Sequence, residues 1–226
     1  MNDSRGQEPR GEGWSEFSMQ SFAEADLVPP PGAHVPGGPY VNVIKPAIDA
    51  IVALALVILL LPLLALLAVA IRLDSRGPSL FTQDRVGRWG QLFTIYKFRT
   101  MRTDLSGPVL TQNNDPRITR VGRFLRRTSL DELPQLLNIL WGDMSFIGPR
   151  PEVPSIVAAE YSPEQKGVLA VRPGLSGWAQ VHGRDDLEIP AKLAYDLEYV
   201  RQVSLSFDIR ILWLTPGLLL SGRGIK

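Results

Sequence analysis

The chain has 226 residues, of which 45% are hydrophobic and 21% charged, as expected for one folded domain with additional segments. It contains no cysteine, which excludes disulfides, cysteine metal sites and thiol nucleophiles. The formal net charge is +1, but residues 1–40 carry six acidic and two arginine side chains, so that segment contributes −4 and the remainder +5. A basic body favours anionic partners such as phosphates or lipid head groups.

Residues 1–40 are rich in glycine, proline, serine and glutamate and show no hydrophobic periodicity. Segments of this composition cannot bury enough apolar surface to offset the entropy of folding. We therefore predict a disordered tail over 1–40, followed by a folded part over 41–226.

Residues 50–71 form an uninterrupted run of 22 positions without a charged side chain. A straight helix of that length measures ~33 Å, close to the ~30 Å hydrocarbon core of a bilayer. The run predicts a membrane-embedded helix. Pro62 lies at its middle and removes one helix hydrogen bond. Two geometries follow: a kinked helix that spans the bilayer, or a helix that breaks at Pro62 and returns to the face it entered.

Residues 80–83 and 93–99 are rich in aromatic and β-branched side chains and flank the turn signal GRWG. This pattern predicts a β-hairpin. Strand alternation places Lys97 and Arg99 on one face. The pair fits either a phosphate clamp or a solvated basic edge that discourages aggregation.

The next predicted helix, over 117–127, is basic along one face and apolar along another. Such a helix is typical of an anionic membrane surface, and arginine also favours bidentate contacts with phosphate. A nucleic-acid partner is not expected beside a membrane segment. The basic side chains are Arg117, Arg120, Arg123, Arg126 and Arg127.

Two adjacent carboxylates, Asp131 and Glu132, follow these arginines. Ser129 and Glu132 have the spacing of a capping box, and Asp131 could equally be the N-cap itself. Either start predicts a helix that continues to about Gly142. A carboxylate at a helix N-terminus beside arginines is expected to have a lowered pKa and to stay ionised. It suits a nucleophile or a Mg²⁺ ligand, although helix capping is the commoner role for this pattern alone.

The remaining sequence predicts a helix within 152–170, a short strand over 175–181, a helix over 191–200 that carries Asp196, and an apolar segment over 207–220 at the membrane interface. Arg150 lies between two prolines whose φ angles are restricted. That frame fits either a structural turn or a rigidly aimed phosphate-binding guanidinium.

The chain contains four motifs that are similar to those of a known family: YKFRTM at 96–101, TSLDELPQ at 128–135, GDMSFIGPRP at 142–151 and RPGLSG at 172–177. In this order they resemble the bacterial sugar transferases, the monotopic phosphoglycosyl transferases that start glycan assembly on undecaprenyl phosphate. The resemblance covers about residues 41–226. It implies a minimal catalytic form without the multi-span N-terminal part of some relatives.

The resemblance implies transfer of a phosphosugar from a UDP-sugar to undecaprenyl phosphate, with release of UMP. Asp131 matches the family nucleophile, and Glu132 matches its acidic partner, which helps to hold Mg²⁺. The substrate-binding and phosphate-binding positions implied are Lys97, Arg126, Arg150, Arg184 and Asp196. Arg99 is added as a candidate because it shares the strand face of Lys97. We expect the product to enter exopolysaccharide, capsule, O-antigen or glycoprotein glycan assembly through downstream glycosyltransferases.

The expected architecture is α/β and mostly helical. A re-entrant membrane helix over 41–76, broken at Pro62, precedes a small cytoplasmic catalytic part over 77–226 with a β-hairpin and amphipathic interfacial helices. The family commonly has serine before the proline, whereas this chain has Leu61. The expected location is the bacterial inner membrane. The rival hypothesis is a non-catalytic module that binds anionic lipid or a protein, and a homo-oligomer remains open.

Overall fold

The computed structural model describes residues 27–105, 115–183 and 186–221. A mostly helical chain surrounds one β-hairpin and one pair of very short parallel strands. The helices are α1 Lys45–Asp74, α2 Arg120–Thr128, α3 Leu136–Trp141, α4 Pro154–Glu160, α5 Trp178–His182, α6 Ile189–Gln202 and α7 Leu205–Ser221. The strands are β1 Leu80–Val86, β2 Leu92–Phe98, β3 Ser145–Ile147 and β4 Gly174–Ser176.

Helix α1 is the predicted apolar helix, and it is the one helix in the described residues that is long and apolar enough to cross a membrane. The helix continues through Pro62, so the predicted break at that residue is wrong. One side of α1 packs on the rest of the chain through Ala53 and Ile71, which are fully buried. The other side leaves large apolar side chains such as Leu59 and Leu73 exposed, as a lipid-facing surface requires.

The β-hairpin is confirmed: β1 and β2 pair antiparallel from Leu80 opposite Phe98 to Val86 opposite Leu92. Its turn places Trp89 in the left-handed region at φ 59°, a conformation rare for an aromatic residue. Gly90 follows at φ 76°, and a Cβ there would meet the Leu27 carbonyl oxygen at 2.3 Å. The turn therefore requires glycine at this position.

The contact with Leu27 changes the predicted tail boundary. Leu27 is 4% exposed and packs in a cluster with Val86, Val157 and Leu169. The part of the chain that packs on the folded domain thus extends back to Leu27, because this apolar side chain is buried against the hairpin and α4. Residues 1–26 of the predicted tail lie outside the described residues.

The predicted helix from Ser129 to Gly142 is divided into two pieces. Leu130–Gln135 forms a 3₁₀ segment, and α3 then runs from Leu136 to Trp141. The capping box is wrong: Ser129 adopts a left-handed conformation at φ 55°, ends α2 and makes no side-chain cap to the following segment. Gly142 ends α3 at φ 87°, as predicted from its position after the apolar stripe.

The predicted strand over 175–181 is only half correct. Gly174–Ser176 pairs in parallel with β3, but Trp178 already begins α5. Gly177 lies at this transition, where a Cβ would meet the Gly148 carbonyl oxygen at 2.1 Å. The predicted helix over 191–200 is confirmed and extends from Ile189 to Gln202.

Candidate active site

The two adjacent carboxylates lie in the 3₁₀ segment, between the end of α2 and the start of α3. Glu132 is buried at 9% exposure, whereas Asp131 is partly exposed. The left-handed Ser129 makes the sharp change of direction that lets the segment cross β2. One carboxylate is thus directed into the protein while its neighbour remains accessible.

Glu132 is held by two cations from different parts of the chain. Its Oε1 accepts a hydrogen bond from Lys97 Nζ at 3.2 Å and another from Arg150 Nη2 at 3.3 Å. Lys97 comes from β2, and Arg150 comes from the loop after β3. The structure therefore brings together three of the predicted site residues, which lie up to 53 positions apart in the sequence.

Arg126 approaches the same site from α2. Its Nε donates to the Thr100 hydroxyl at 2.9 Å, and its charge acts on Asp131. Gly122 makes this docking possible, because a Cβ there would meet the Thr100 carbonyl oxygen at 2.1 Å. The N-terminus of α2 is capped by Thr119, whose hydroxyl accepts from the Gly122 amide. The site thus has two carboxylates and three cations.

The electrostatics of Asp131 differ from the expectation for a helix cap. Burial and the adjacent Glu132 raise the pKa of Asp131, and the charges of Lys97 and Arg126 only partly oppose that rise. Burial also lowers the pKa of Lys97, although Glu132 favours its charged form. The predicted lowering is wrong because desolvation and a like-charged neighbour outweigh the cations. Perturbed titrating groups in close contact are typical of functional sites.

A fully buried asparagine fixes the carboxylates over the hairpin. Asn138 Oδ1 accepts from the Tyr96 amide at 3.1 Å, and its Nδ2 donates to the Thr94 carbonyl at 2.8 Å. The side chain therefore mimics another strand along the open edge of β2. Because Asn138 belongs to α3, these bonds set the position of the carboxylate segment relative to Lys97.

The loop that carries Arg150 is restrained on both sides. Gly148 donates to the Ser176 carbonyl at 2.9 Å, and the Gly174 amide donates to the Pro149 carbonyl at 2.8 Å. On the opposite side Arg85 donates to the Pro151 carbonyl at 3.1 Å. A Cβ at position 148 would meet the Arg172 carbonyl oxygen at 2.4 Å, so the close approach requires glycine. The backbone around Arg150 is thus positioned before any ligand binds.

Arg99 has a different environment from Lys97. Its guanidinium donates to the carbonyls of Arg76 and Ser75, at 2.5 and 2.7 Å, and to the Ser75 hydroxyl at 2.9 Å. It is 4% exposed and caps the C-terminal end of α1. Strand alternation predicted the shared face but not the helix that packs against it, so these contacts do not support the predicted phosphate clamp.

Asp196 lines a pocket that begins at Arg150, and Arg184 lies outside the described residues. Sequence reasoning missed two further residues near the site. Arg85 forms an ion pair with Glu152 at 3.5 Å next to Arg150, and Gln180 lines the pocket. The alternation of residues along β1 does not indicate that Arg85 lies near the site. Gln180 was missed because a strand, and not a helix, was predicted over 175–181.

The residues at the site fit Mg²⁺ only if water and substrate phosphates complete its coordination. No group of three or more histidine or carboxylate side chains within the described ranges is arranged to hold a metal. Mg²⁺ usually keeps several waters and binds through one or two carboxylates together with substrate phosphates. Asp131 and Glu132 are enough to supply that number of carboxylates. The cations and carboxylates together can bind a diphosphate and present a carboxylate oxygen to it.

The chain is similar in sequence to known proteins over most of its length. The sequence pattern described as Bacterial sugar transferase matches residues 40–222. The chain is 45% identical over 186 residues to the undecaprenyl-phosphate glucose phosphotransferase of Komagataeibacter xylinus, which covers 76% of this chain and 35% of the relative. It is 46% identical over 186 residues to the exopolysaccharide production protein PSS of Rhizobium leguminosarum bv. phaseoli, which covers 76% of this chain and 93% of the relative.

A third relative has a different sugar in its name. The UDP-N-acetylgalactosamine-undecaprenyl-phosphate N-acetylgalactosaminephosphotransferase of Aeromonas hydrophila is 42% identical over 193 residues, which cover 81% of this chain and 45% of the relative. The chain thus spans about a third to a half of the two relatives named as phosphotransferases. The match over 40–222 includes the apolar helix, the hairpin and every residue of the carboxylate site. The chain therefore belongs to the bacterial sugar transferase family.

Proposed function

We propose that this chain transfers a sugar phosphate from a UDP-sugar to undecaprenyl phosphate and releases UMP. The observation that carries the proposal is the carboxylate pair, of which Glu132 is held by Lys97 and Arg150 and Asp131 stays accessible. Both substrates appear in the names of relatives of this chain. A long apolar helix beside the site suits an acceptor that resides in lipid.

In the proposed mechanism Asp131 is the nucleophile. A carboxylate oxygen attacks the sugar-side phosphorus, the bond from that phosphorus to the bridging oxygen breaks, and UMP leaves with the electron pair. The phosphosugar remains on Asp131 as an acyl phosphate. A phosphate oxygen of the polyprenyl carrier then attacks the same phosphorus, which breaks the bond to Asp131 and restores the carboxylate.

The neighbouring charges serve this chemistry. Arg150 and Arg126 balance the negative charge of the two phosphates that meet at Asp131. Glu132 keeps Lys97 and Arg150 at fixed positions, so less reorganisation is needed when the substrate binds. Because burial raises the pKa of Asp131, turnover should fall in acid as this carboxylate becomes protonated.

We propose Mg²⁺ as the cofactor, and Glu132 is the residue that would hold it. Bound there, it would offset phosphate charge. Glu132, which accepts hydrogen bonds from Lys97 and Arg150, would hold the ion together with the substrate phosphates.

We also propose that both ends of α1 stay on the cytoplasmic face of the inner membrane. At its N-terminal end Lys45 bonds Asp208 at 2.6 Å, and at its C-terminal end Asp74 accepts from the Val121 amide at 3.0 Å. Both contacts are with the catalytic part. Because the same folded part contacts both ends of the unbroken helix, we infer that α1 lies in the membrane without passing to the opposite side. Helix α7, with Trp213 at 85% exposure, would add an interfacial surface.

The test compares the wild type with Asp131→Asn in a UMP-release assay with undecaprenyl phosphate and Mg²⁺. We expect turnover by the wild type, none by Asp131→Asn, and a phosphosugar adduct on Asp131 when the wild type meets a UDP-sugar alone. Asp84→Asn is the matched control, since Asp84 is exposed on the hairpin and accepts a hydrogen bond from the Thr94 hydroxyl. UMP release by Asp131→Asn at the wild-type rate would contradict the proposal.

The non-catalytic hypothesis gives a different result in the same experiment. A lipid-binding module would sediment with anionic vesicles, release no UMP with any UDP-sugar, and bind equally well as Asp131→Asn. The arrangement around Glu132 favours the enzyme, because a lipid-binding surface gains nothing from two carboxylates placed within its cations.

A further inference from the structure

Arg85 extends from β1 toward the loop that carries Arg150. Its side chain is 19% exposed, and its Nη1 donates to the Pro151 carbonyl at 3.1 Å. The next residue adds a second bond, because the Val86 amide donates to the Glu152 carbonyl at 3.0 Å. Two consecutive residues of β1 therefore hold the two residues that follow Arg150.

The Arg85 guanidinium is also fixed from its own strand. Gln83 lies two positions before Arg85, so both side chains share one face of β1. Its Oε1 accepts a hydrogen bond from Arg85 Nη2 at 2.8 Å. The two terminal nitrogens thus have different acceptors, Gln83 on the strand and Pro151 on the loop. Because the guanidinium is planar and rigid, these two acceptors define its orientation as well as its place.

These contacts do not form an ion pair arranged for stability. The nearest carboxylate oxygen of Glu152 lies 3.5 Å from Arg85 Nη1, which is longer than a normal N–H···O hydrogen bond. The Arg85 Nε is buried and has no hydrogen-bond partner within the part of the chain that the structure describes. An unpartnered buried donor lowers stability. The bond to the Pro151 carbonyl is therefore the more direct link between Arg85 and the loop.

The position of Pro151 determines where the Arg150 backbone lies. The ring of Pro151 restricts its φ, so a displacement of its carbonyl is not absorbed by rotation about that bond and moves Arg150 as well. On the other side of Arg150, the Pro149 carbonyl accepts from the Gly174 amide at 2.8 Å. Arg85 thus supplies a restraint on the side of Arg150 that Gly174 does not reach.

The charge of Arg85 acts within the carboxylate site. Burial lowers the pKa of Arg85, Glu152 opposes that lowering, and the charges of Arg150 and Glu132 act on it as well. A guanidinium stays charged at every pH at which the protein is folded. Because like charges repel, Arg85 disfavours movement of the Arg150 guanidinium toward it and away from Glu132.

We propose that Arg85 is a positioning residue of the transfer reaction, which holds the Arg150 guanidinium where the attacked phosphate meets Asp131. The inference rests on the proposed function and deepens it. Arg85 acts through the Pro151 carbonyl and does not need to touch the phosphate. A displacement of about 1 Å in a group at the reacting centre can slow a reaction about a hundredfold. Loss of this restraint should therefore lower the rate and leave the affinity for the UDP-sugar largely unchanged.

The experiment follows UMP release with Mg²⁺, excess UDP-sugar and no polyprenyl phosphate, so each folded enzyme releases one UMP and keeps the phosphosugar. The probe is whichever of UDP-glucose, UDP-galactose and their N-acetyl forms the wild type uses fastest. The amplitude of this burst counts folded sites, and its rate constant measures the attack by Asp131. Arg85→Lys keeps the charge, but its compact ammonium does not reproduce the planar fork. We expect the rate constant to fall about tenfold to a hundredfold, with full amplitude and an unchanged dependence on UDP-sugar concentration.

Gln83→Met tests the same restraint without a change of charge. Gln83 is half-buried on the hairpin, and methionine keeps its unbranched shape without the acceptor for Arg85 Nη2. We expect the burst to slow about fivefold with full amplitude. Asp84→Asn is the matched control and should keep the wild-type rate, since Asp84 lies between these two residues on the opposite face of β1.

A purely structural role predicts the opposite result. A lower amplitude in Arg85→Lys, with each remaining site reacting at the wild-type rate, overturns the inference. If Arg85→Lys does not fold, Gln83→Met decides, and a wild-type burst rate in that variant also overturns it. Glu152→Gln should slow the burst less than about threefold, and a loss equal to that of Arg85→Lys would assign the role to the ion pair and overturn the inference. Absence of a burst from the wild type with all four UDP-sugars would instead refute the proposed function.

Discussion

Glu132 and Asp208 are both buried carboxylates that bind a lysine, yet their surroundings differ. Asp208 Oδ2 accepts from Lys45 at 2.6 Å and from the Tyr40 hydroxyl at 2.5 Å, and its Oδ1 accepts from Tyr199 at 2.7 Å. Both oxygens have short partners. At Glu132 the bonds from Lys97 and Arg150, at 3.2 and 3.3 Å, fall on one oxygen.

The difference separates a structural cluster from a reactive one. Lys45 and Asp208 balance each other, and both side chains are about nine-tenths buried, so the network closes the junction of α1, α6 and α7. Around Glu132 three cations face two carboxylates, and the Arg150 side chain is 29% exposed. A buried cluster with satisfied atoms positions helices. A cluster with longer bonds, a raised Asp131 pKa and a surplus of positive charge is prepared for an anionic ligand.

The largest expected effect comes from Glu132→Gln. The variant keeps the shape of the side chain but loses the charge that holds Lys97 and Arg150, so both cations should move from their positions near Asp131. We expect UMP release to fall about a thousandfold, as when a preorganised electrostatic partner is removed. The melting temperature in detergent should fall less than in Asp208→Asn, because the charge of Asp131 still acts on Lys97. A loss of less than about threefold would show that Glu132 is a structural residue like Asp208.

Asp208→Asn should have the opposite effects, with a loss of stability and little change in activity. It leaves Lys45 buried without its counter-ion, which typically costs about 3–5 kcal/mol. We expect a lower apparent Tm at a fixed scan rate and faster thermal inactivation, while the protein that remains folded keeps the wild-type kcat. Tyr40→Phe, which removes one hydroxyl donor and no charge, is the milder companion. A kcat loss with unchanged Tm would place Asp208 in the catalytic machinery and erase the contrast with Glu132.

The sequence predicted the parts of this comparison that depend on local pattern. The apolar run of α1 and the turn that creates the hairpin are determined by neighbouring residues, and both are present. The motif resemblance identified Lys97, Asp131, Glu132 and Arg150, and the structure brings Glu132 into contact with both cations. Their proximity had no other sequence signal, because Lys97 and Arg150 approach from different elements.

The failures arise where tertiary contacts outweigh local rules. The pKa of Asp131 was expected to be low from its position beside arginines, but burial and Glu132 dominate. Arg99 shares a strand face with Lys97, yet the end of α1 takes up its guanidinium. Asp208 gave no motif at all, because its partners Lys45 and Tyr40 are more than 160 residues away. Sequence periodicity identifies the residues that share one face of a strand or helix. It does not identify the residues that pack against that face.

Asp196 extends the comparison to a third carboxyl, which has no cation at bonding distance among the residues that the structure describes. Burial and Glu152 raise its pKa to about 7, against lowering by the Ala179 backbone and Lys192. An unfolded aspartate releases its proton near pH 4, so between about 4 and 7 the folded state binds more protons and stability falls as pH rises. The loss is complete above about pH 7 and reaches at most about 4 kcal/mol.

Asp196→Asn removes the titrating carboxyl and should therefore show whether its ionisation lowers stability as the pH rises. We expect the Tm of the variant relative to the wild type to increase from pH 4 to pH 7 and to level off above that. The measurement needs only thermal melting at a series of pH values, so it stays independent of turnover. A constant Tm difference across this range would mean that Asp196 is ionised in the folded state, and it would then belong with Glu132 and not apart from it.

The smallest effect should come from an ion pair with shorter bonds than those at Glu132. Arg102 binds Asp104 through two hydrogen bonds, at 2.9 and 2.5 Å, but more than half of each side chain is exposed. Water and salt screen such pairs, and the ordering of two long side chains offsets most of the attraction. Asp104→Asn should therefore change neither Tm nor UMP release measurably, at low or high salt. A clear loss in either would show that bond length, and not burial and charge balance, distinguishes the clusters of this protein.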